Sequence, residues 1–147
     1  MKIGQMQGLF QGLDIAASGL SAELMRSEIV ASNISNMHVT GGDGRAPYRR
    51  KALVFEEELT AADRFGEQRA QGVKVGRVFE DFETPFVPRH DPGHPHADED
   101  GFVLTSNVDL FREMVDMMSI ERSFQANLAA MRSYRGMLKS TMDSMRT

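Results

Sequence analysis

The chain has no cysteine and no tryptophan among its 147 residues. The lack of cysteine excludes disulfides, thiolate zinc sites and a cysteine nucleophile. The chain also lacks any apolar run approaching the roughly 18 to 20 residues that a membrane-spanning helix needs, so no membrane insertion is expected. The formal net charge is −4, which argues against nucleic acid as a partner. The only compact basic run is Arg49, Arg50 and Lys51.

The motifs that frame catalytic chemistry are missing too. No Gly-x-Ser-x-Gly elbow, phosphate-binding loop or paired-carboxylate arrangement accompanies the serines and the four histidines. We therefore expect no enzyme and no cofactor. After Lys2, the segment IGQMQGLFQGL is interrupted by glutamine and glycine, so a Sec-type signal peptide is not expected either.

Two long segments, one towards each end of the chain, carry apolar residues at helical spacing. In the first, Leu9, Leu13, Leu20 and Leu24 belong to a pattern that runs to Ile34. In the second, an alternating step of four and three residues predicts a helix from about residue 107 to about residue 145. Its positions are Leu110, Met114, Met117, Glu121, Phe124, Leu128, Met131, Arg135, Leu138, Met142 and Met145.

Individual residues affect the predicted stability and the predicted start of these helices. Gly12 and Gly19 each cost the first helix about 1 kcal/mol relative to alanine, so its early turns need a partner. Ser106 followed by Asp109 fits a capping box at the start of the second helix.

Between the helices, glycine and proline residues break every helical pattern. Short runs of β-branched and aromatic residues predict strands at 51–59 and 73–82, and a third run at 101–105 is a further candidate. The histidines and carboxylates between 90 and 100 resemble a metal site only superficially, because two prolines stiffen the run and its spacing suits neither zinc nor calcium. A solvated loop is the better interpretation, and no metal site is predicted.

These elements predict a mainly α fold. The long N- and C-terminal helices would pack as an antiparallel coiled-coil-like hairpin, with a small β/loop middle segment. The predicted divisions are an N-terminal helical arm at 1–36, a β-hairpin/loop segment at 37–104 and a C-terminal helical arm at 105–147, the two arms forming one discontinuous helical domain. Such a hairpin would leave apolar surface for other subunits to cover. The molecule would then be either an assembly subunit or a soluble coiled-coil adaptor or export chaperone.

The sequence DIAASGLSAELMRSEIVASNISNM resembles the N-terminal segment of the flagellar rod and hook axial proteins, where a helix leads into an Asn-rich box. Here the box reads Ser32, Asn33, Ile34, Ser35 and Asn36, with Ser32 in place of the first asparagine of the family's pair. The segments GGDGRAPYRRKALVF, GVKVGRVFED, PGHPHADEDGFV and NVDLFREMVDMMSIERSFQANLAAMRSYRGMLKSTM are similar to the proximal rod proteins of this family. The resemblance extends nearly from end to end.

The resemblance implies a structural subunit of the flagellar basal-body rod, which assembles helically and transmits torque. It implies a location in the rod that spans the periplasm, reached by export through the flagellar type III apparatus without cleavage of a signal peptide. The implied partners are other rod subunits, copies of the same chain and the export apparatus.

Three sets of residues are candidates for functional contacts. The box residues would cap the last carbonyls of the first helix and hydrogen-bond to the redirected backbone, turning the chain into the β/loop segment, although a generic polar helix end would look similar. The run Arg49–Lys51 would meet acidic groups of a neighbour, such as Glu56–Glu58 or Asp98–Asp100, or would merely keep an edge strand soluble. The apolar candidates, which could equally be ordinary core, are Leu13, Leu20, Leu24, Met117, Phe124, Leu128, Met131, Tyr134 and Leu138.

Overall fold

The computed structural model of the chain describes residues 3–42, 44–59 and 70–144. Its elements are, in chain order, α1 (Ile3–Ser35), β1 (Lys51–Leu59), β2 (Ala70–Glu80), β3 (Val87–His90), β4 (Phe102–Thr105) and α2 (Leu110–Ser144). Strand β1 pairs with β2 and strand β3 with β4, which gives two small antiparallel sheets. Neither helix, over its described residues, contains an apolar stretch long enough to cross a membrane.

The prediction of a mainly α chain, arranged as a helical hairpin with a small β/loop middle segment, is wrong. Helical content is 50% and strand content about 24%, so helices and sheets build the molecule together. Strand β1 matches the predicted run at 51–59, but β2 begins at Ala70 rather than at Val73. Strand β3 was not predicted because it contains Pro88, which a two-stranded sheet tolerates since each of its strands has a free edge.

The chain forms two compact units, and each helix contributes to both. The first unit contains Met1–Met25, Val54–Gly76 and Ser119–Thr147. The second unit contains Arg26–Leu53 and Arg77–Met118. The division into arms at 1–36 and 105–147 around a middle segment at 37–104 stays a prediction.

In the first unit, segments of α1 and α2 run antiparallel in close contact. Gly12 lies against the ring of Tyr134, and Gly19 faces Asn127, whose amide nitrogen is 2.8 Å from where a Cβ atom on Gly19 would stand. These glycines weaken α1 as an isolated helix, but a larger residue would collide with the facing side chain. Among the residues of this unit whose side chains the structure describes, the buried apolar ones are Ala16, Ala22 and Ile120.

The buried face of α2 differs from the predicted stripe. Glu113 and Ile120, which lie outside that stripe, are buried. Four positions of the stripe are exposed, namely Met114, Glu121, Arg135 and Met142. Six others are half-buried, namely Leu110, Met117, Phe124, Leu128, Met131 and Leu138. Two stripes with alternating steps of four and three can share every second position, so periodicity alone does not choose between them.

In the second unit, β3 and β4 form an antiparallel hairpin. Alternation along β4 buries Val103 and Thr105 and exposes Phe102 and Leu104. The N–H of Gly41 donates to the carbonyl of Leu104 at 3.0 Å, so the chain that follows α1 covers part of the second edge of β4.

Helix α2 begins at Leu110 rather than near residue 107. Its N-cap is Asp109, whose Oδ1 accepts the N–H of Phe111 at 2.8 Å. The expected capping box does not form, because the hydroxyl of Ser106 accepts the N–H of Val108 at 3.2 Å instead.

Candidate functional site

A buried asparagine, Asn33, connects the end of α1 to the start of β1. Its side chain is 0% exposed. Its Nδ2 donates to the carbonyl of Lys51 at 2.8 Å and to Oε2 of Glu113 at 3.1 Å. Its Oδ1 accepts the N–H of Lys51 at 2.9 Å and the hydroxyl of Tyr48 at 3.0 Å. All donor and acceptor positions of the amide are therefore used, and the amide takes the place of a neighbouring strand beside Lys51.

Glu113 on α2 is the second fully buried group. Its carboxylate accepts Asn33 on one oxygen and Nε of Arg50 on the other, the latter at 2.6 Å. Arg50 is also buried and donates from Nη2 to Asp116 at 3.1 Å, while Arg26 reaches the other oxygen of Asp116 at 3.4 Å. Removing one partner of a buried ion pair typically costs about 3 to 5 kcal/mol, because the remaining charge is left uncompensated.

Asn107 extends this group to the turn that follows β2. Its Oδ1 accepts the N–H of Arg50 at 2.7 Å, and its Nδ2 donates to the carbonyls of Asp81 at 3.0 Å and Thr84 at 3.1 Å. The Asp81 carboxylate accepts the N–H and hydroxyl of Thr84 and the N–H of Glu83. These bonds, with the backbone bond from Thr84 the largest cause, hold the pKa of Asp81 below its usual range.

We call Asn33, Arg50, Asn107, Glu113 and Asp116 the polar junction. It lies within the second unit and joins the end of α1, the start of β1 and the first turns of α2. Each of these side chains makes hydrogen bonds within the chain. Such a network fixes one geometry, because a shifted pairing would leave buried donors and acceptors unpaired. The arrangement is suited to connecting elements rigidly.

The remaining box residues end α1. The carbonyl of Ser32 accepts Nδ2 of Asn36 at 2.8 Å, the hydroxyl of Ser35 at 3.0 Å and the N–H of Asn36 at 3.2 Å. Ile34 is half-buried. Asn33 differs from these residues, because its side chain bonds to the redirected backbone at Lys51 and to Glu113 of α2 rather than to the carbonyls that end α1. A special role of the box in assembly stays a prediction.

Glu113 is central to the polar junction, but the sequence does not predict its burial. An acid in the first turn of a helix is favourable for the helix dipole even when exposed, so its identity gave no sign of burial. The sequence did contain one indication of its burial. Glu113, Met117 and Ile120 are spaced by four and three residues, so they lie on one face of the helix.

The basic run Arg49–Lys51 is engaged within the chain. Arg50 belongs to the polar junction, and the guanidinium of Arg49 stacks on Phe82 and Phe86, 4.5 and 4.2 Å from the ring centroids. Lys51 is half-buried. Contact of this run with a neighbouring subunit stays a prediction.

Most of the predicted apolar contact residues are half-buried. They are Leu13, Leu20, Met117, Phe124, Leu128, Met131, Tyr134 and Leu138, whereas Leu24 is exposed. Their part in subunit contacts stays a prediction. Other large apolar side chains are exposed along the two helices, namely Phe10, Ile15, Met25, Phe111, Met114, Val115, Met118, Met137 and Met142.

The histidine-rich loop between β3 and β4 is ordered by its own hydrogen bonds. The ring of His94 accepts the N–H of His96 at 3.1 Å, and the carboxylate of Asp98 accepts the N–H of Phe102 at 2.7 Å. Over residues 3–42, 44–59 and 70–144, no three or more histidines and carboxylates are grouped so that they could hold a metal ion.

Comparison with known proteins identifies the family. A model described as flagella basal body rod protein matches residues 13–41, and one described as flagellar basal body rod FlgEFG protein C-terminal matches residues 99–144. The flagellar basal-body rod protein FlgC of Salmonella typhimurium is 40% identical over 130 residues, covering 88% of this chain and 92% of its own. FlgC of Agrobacterium fabrum is 40% identical over 139 residues, covering 94% and 96%. FlgC of Borreliella burgdorferi is 31% identical over 147 residues, covering 92% and 96%. The chain belongs to the FlgC family.

FlgC-family membership confirms the resemblance to the rod proteins. The chain is a structural subunit of the flagellar basal-body rod and not an enzyme. It is located in the basal body and assembles with other rod components. The two matched regions contain four of the five members of the polar junction, and Arg50 lies between them. The alternative of a soluble adaptor or export chaperone has no support from these matches.

Proposed function

We propose that this FlgC-family subunit assembles helically with copies of itself and with other rod proteins, and that the packed helices transmit torque. The observation that supports this proposal is the exposed apolar surface of α2. Phe111, Val115 and Met118 are 76%, 64% and 56% exposed and lie three or four residues apart, on one side of the helix. Contiguous apolar surface on a soluble chain commonly marks a contact with a partner.

The polar junction suits a subunit that bears force. Its bonds join α1, β1 and α2 within the second unit, so a load on the helices would pass to β1 through several hydrogen bonds at once. The subunit contacts that we propose involve the predicted apolar residues of both helices and, from the run Arg49–Lys51, the half-buried side chains of Arg49 and Lys51.

Export through the flagellar type III apparatus, without cleavage of a signal peptide, is part of the same proposal. It is supported by membership of the rod family.

Complementation tests the assembly proposal. Cells that lack their own FlgC would receive the wild-type chain, Val115→Asp, or Val87→Asp, a matched change at a valine of β3 that is 51% exposed. We expect wild type and Val87→Asp to restore swimming. Val115→Asp should fold but reduce the swimming population at least about tenfold, because a carboxylate buried in an apolar contact is costly.

The two possible failures are distinguishable. Normal rods built from Val115→Asp would show that this stripe of α2 is not an assembly surface. A wild-type chain that is produced but never enters basal bodies would contradict helical assembly in the rod.

A further inference from the structure

Sulfur occurs in this chain only as methionine thioethers, because the sequence has 11 methionines and no cysteine. Peroxides oxidise a thioether to the sulfoxide, which turns a flexible apolar side chain into a polar one. Among the methionines whose side chains the structure describes, the exposed ones are Met25, Met114, Met118, Met137 and Met142. These side chains are within reach of a dissolved oxidant in the unassembled chain.

Two of them, Met114 and Met118, lie on the exposed apolar surface of α2 in the second unit. They are 42% and 56% exposed. Met118 belongs to the stripe that contains Phe111 and Val115, and Met114 lies beside it, three residues after Phe111 and four before Met118. Residues at this spacing are neighbours on a helix surface. Oxidation of both would therefore put two polar sulfoxides among the apolar side chains that we propose as an assembly surface.

The adjacent methionine, Met117, is shielded. It is half-buried, and the hydroxyl of Ser27 in α1 donates to its sulfur at 3.6 Å. Transfer of oxygen uses a lone pair of the sulfur, so a sulfur that is partly covered and accepts a hydrogen bond should react more slowly. Met117 is thus an internal reference for Met114 and Met118 within the same turns of α2.

The exposed methionines near the end of α2 have polar surroundings. Met137 and Met142 are 46% and 62% exposed, close to the values of the first pair. Met142 lines an open cleft with Arg135, Lys139 and Asp143. The residues three and four positions from Met137 all carry a hydroxyl group. Sulfoxides here would change an already polar surface, so this pair is a matched control.

We propose that Met114 and Met118 are a peroxide-sensitive modification site, and that their oxidation keeps the subunit out of the rod. The sulfur attacks one oxygen of hydrogen peroxide and the O–O bond breaks, so the sulfur is oxidised by two electrons to the sulfoxide and water is released. The inference rests on the proposed function, because it requires the stripe of α2 to be buried in the assembly. Incorporation into the rod would in turn shield both sulfurs.

Oxidation rates test the accessibility of the two sulfurs. The purified full chain and isolated basal bodies would be treated with hydrogen peroxide, and mass spectrometry would follow each methionine. In the free chain, Met114 and Met118 should oxidise at least about threefold faster than Met117. In basal bodies, both should oxidise at least about tenfold more slowly than in the free chain. Equal rates in the two forms would overturn the inference.

Leucine substitution tests the effect on assembly, because leucine matches methionine in volume and helix propensity and forms no sulfoxide. Cells that lack their own FlgC would express wild type, Met114→Leu with Met118→Leu, or the control Met137→Leu with Met142→Leu. All three should build basal bodies equally without oxidant. In sublethal hydrogen peroxide, the first pair should give at least about fivefold more basal bodies than wild type or the control.

Glutamine substitution separates this site from other targets of peroxide, because the glutamine amide is polar without any oxidant. Met114→Gln with Met118→Gln should reduce the swimming population at least about tenfold, whereas Met137→Gln with Met142→Gln should leave it unchanged. If wild type enters basal bodies and the leucine pair gives no advantage in peroxide, the modification site is wrong and the proposed function stands. If wild type enters no basal bodies even without peroxide, the assembly proposal itself fails.

Discussion

At the scale of single residues, Asn33 matters because its amide is shared by three elements. It bonds to both backbone groups of Lys51 in β1, to Glu113 in α2, and to the hydroxyl of Tyr48. Asn36, three residues later, bonds only to groups near the end of α1. Two asparagines of one motif therefore have different physical roles.

We expect Asn33→Ala to lower the free energy of unfolding by about 3 kcal/mol, because buried groups of Lys51 and Glu113 would lose a partner. Asn36→Ala should cost less than about 1 kcal/mol, because the Ser32 carbonyl keeps the hydroxyl of Ser35 and a backbone N–H. Urea denaturation of the purified variants measures both values.

Motility provides the second measurement for this pair. Asn33→Ala should impair rod assembly more than Asn36→Ala. Equal unfolding midpoints, or rods and swimming like the parent in both variants, would show that the box has no special junction role.

Only some residues of the polar junction could be predicted from the sequence, because only some of them lie in recognisable motifs. Asn33 was found because it lies in a family motif, and Arg50 because it lies in a basic run. Glu113 and Asn107 were not, because polar residues next to a helix start are normally solvated or capping, and burial depends on which helix face meets a partner.

At the scale of elements, local chemistry predicted some features well and others poorly. The β-branched and aromatic run at 51–59 predicted the bounds of β1 correctly. Asp109 caps α2, as an acidic residue directly before a helix commonly does. Strand β3 was missed, because four residues that include a proline carry too little local signal. The buried face of α2 was misjudged, because tertiary contacts select between overlapping heptad registers.

The glycines of the helices allow a matched test of close packing. Gly12→Ala should destabilise the chain by about 1 to 3 kcal/mol, because its methyl group would overlap the ring of Tyr134. Gly136→Ala, in α2 with no neighbouring atom within 4 Å, should stabilise it by about 0.5 to 1 kcal/mol through helix propensity alone. Thermal and urea unfolding would measure the two changes, and stabilisation by both would show that α1 and α2 are not closely packed at Gly12.

At the scale of the whole molecule, the two units differ in what is buried. The second unit contains the polar junction together with Val30 and Val103. In the described part of the first unit, the buried apolar residues are two alanines and Ile120, and the helix segments expose Phe10, Ile15, Leu24 and Met25. The second unit exposes large apolar side chains as well, Phe111 and Val115 among them, but the polar junction holds that unit together, so we expect the first unit to depend more on contact with other subunits.

Hydrogen exchange on the unassembled chain should reveal this difference. The amides of Arg50 and Lys51, which bond to buried side chains of the polar junction, should exchange more slowly than the amide of Val73, which bonds to the hydroxyl of Ser18 in the first unit. Mass spectrometry of the monomer, with assembled rods for comparison, would report both. Equal, high protection in both units of the monomer would mean that a single chain shelters its helices without neighbours.

The polar junction also makes the subunit sensitive to deamidation of Asn33. Spontaneous hydrolysis of that amide would produce aspartate at position 33 with almost unchanged volume. The new carboxylate would face the carboxylate of Glu113 and the carbonyl of Lys51, and it would have no proton for either. Replacement of one nitrogen atom by oxygen would thus be enough to loosen the connection between helix and sheet.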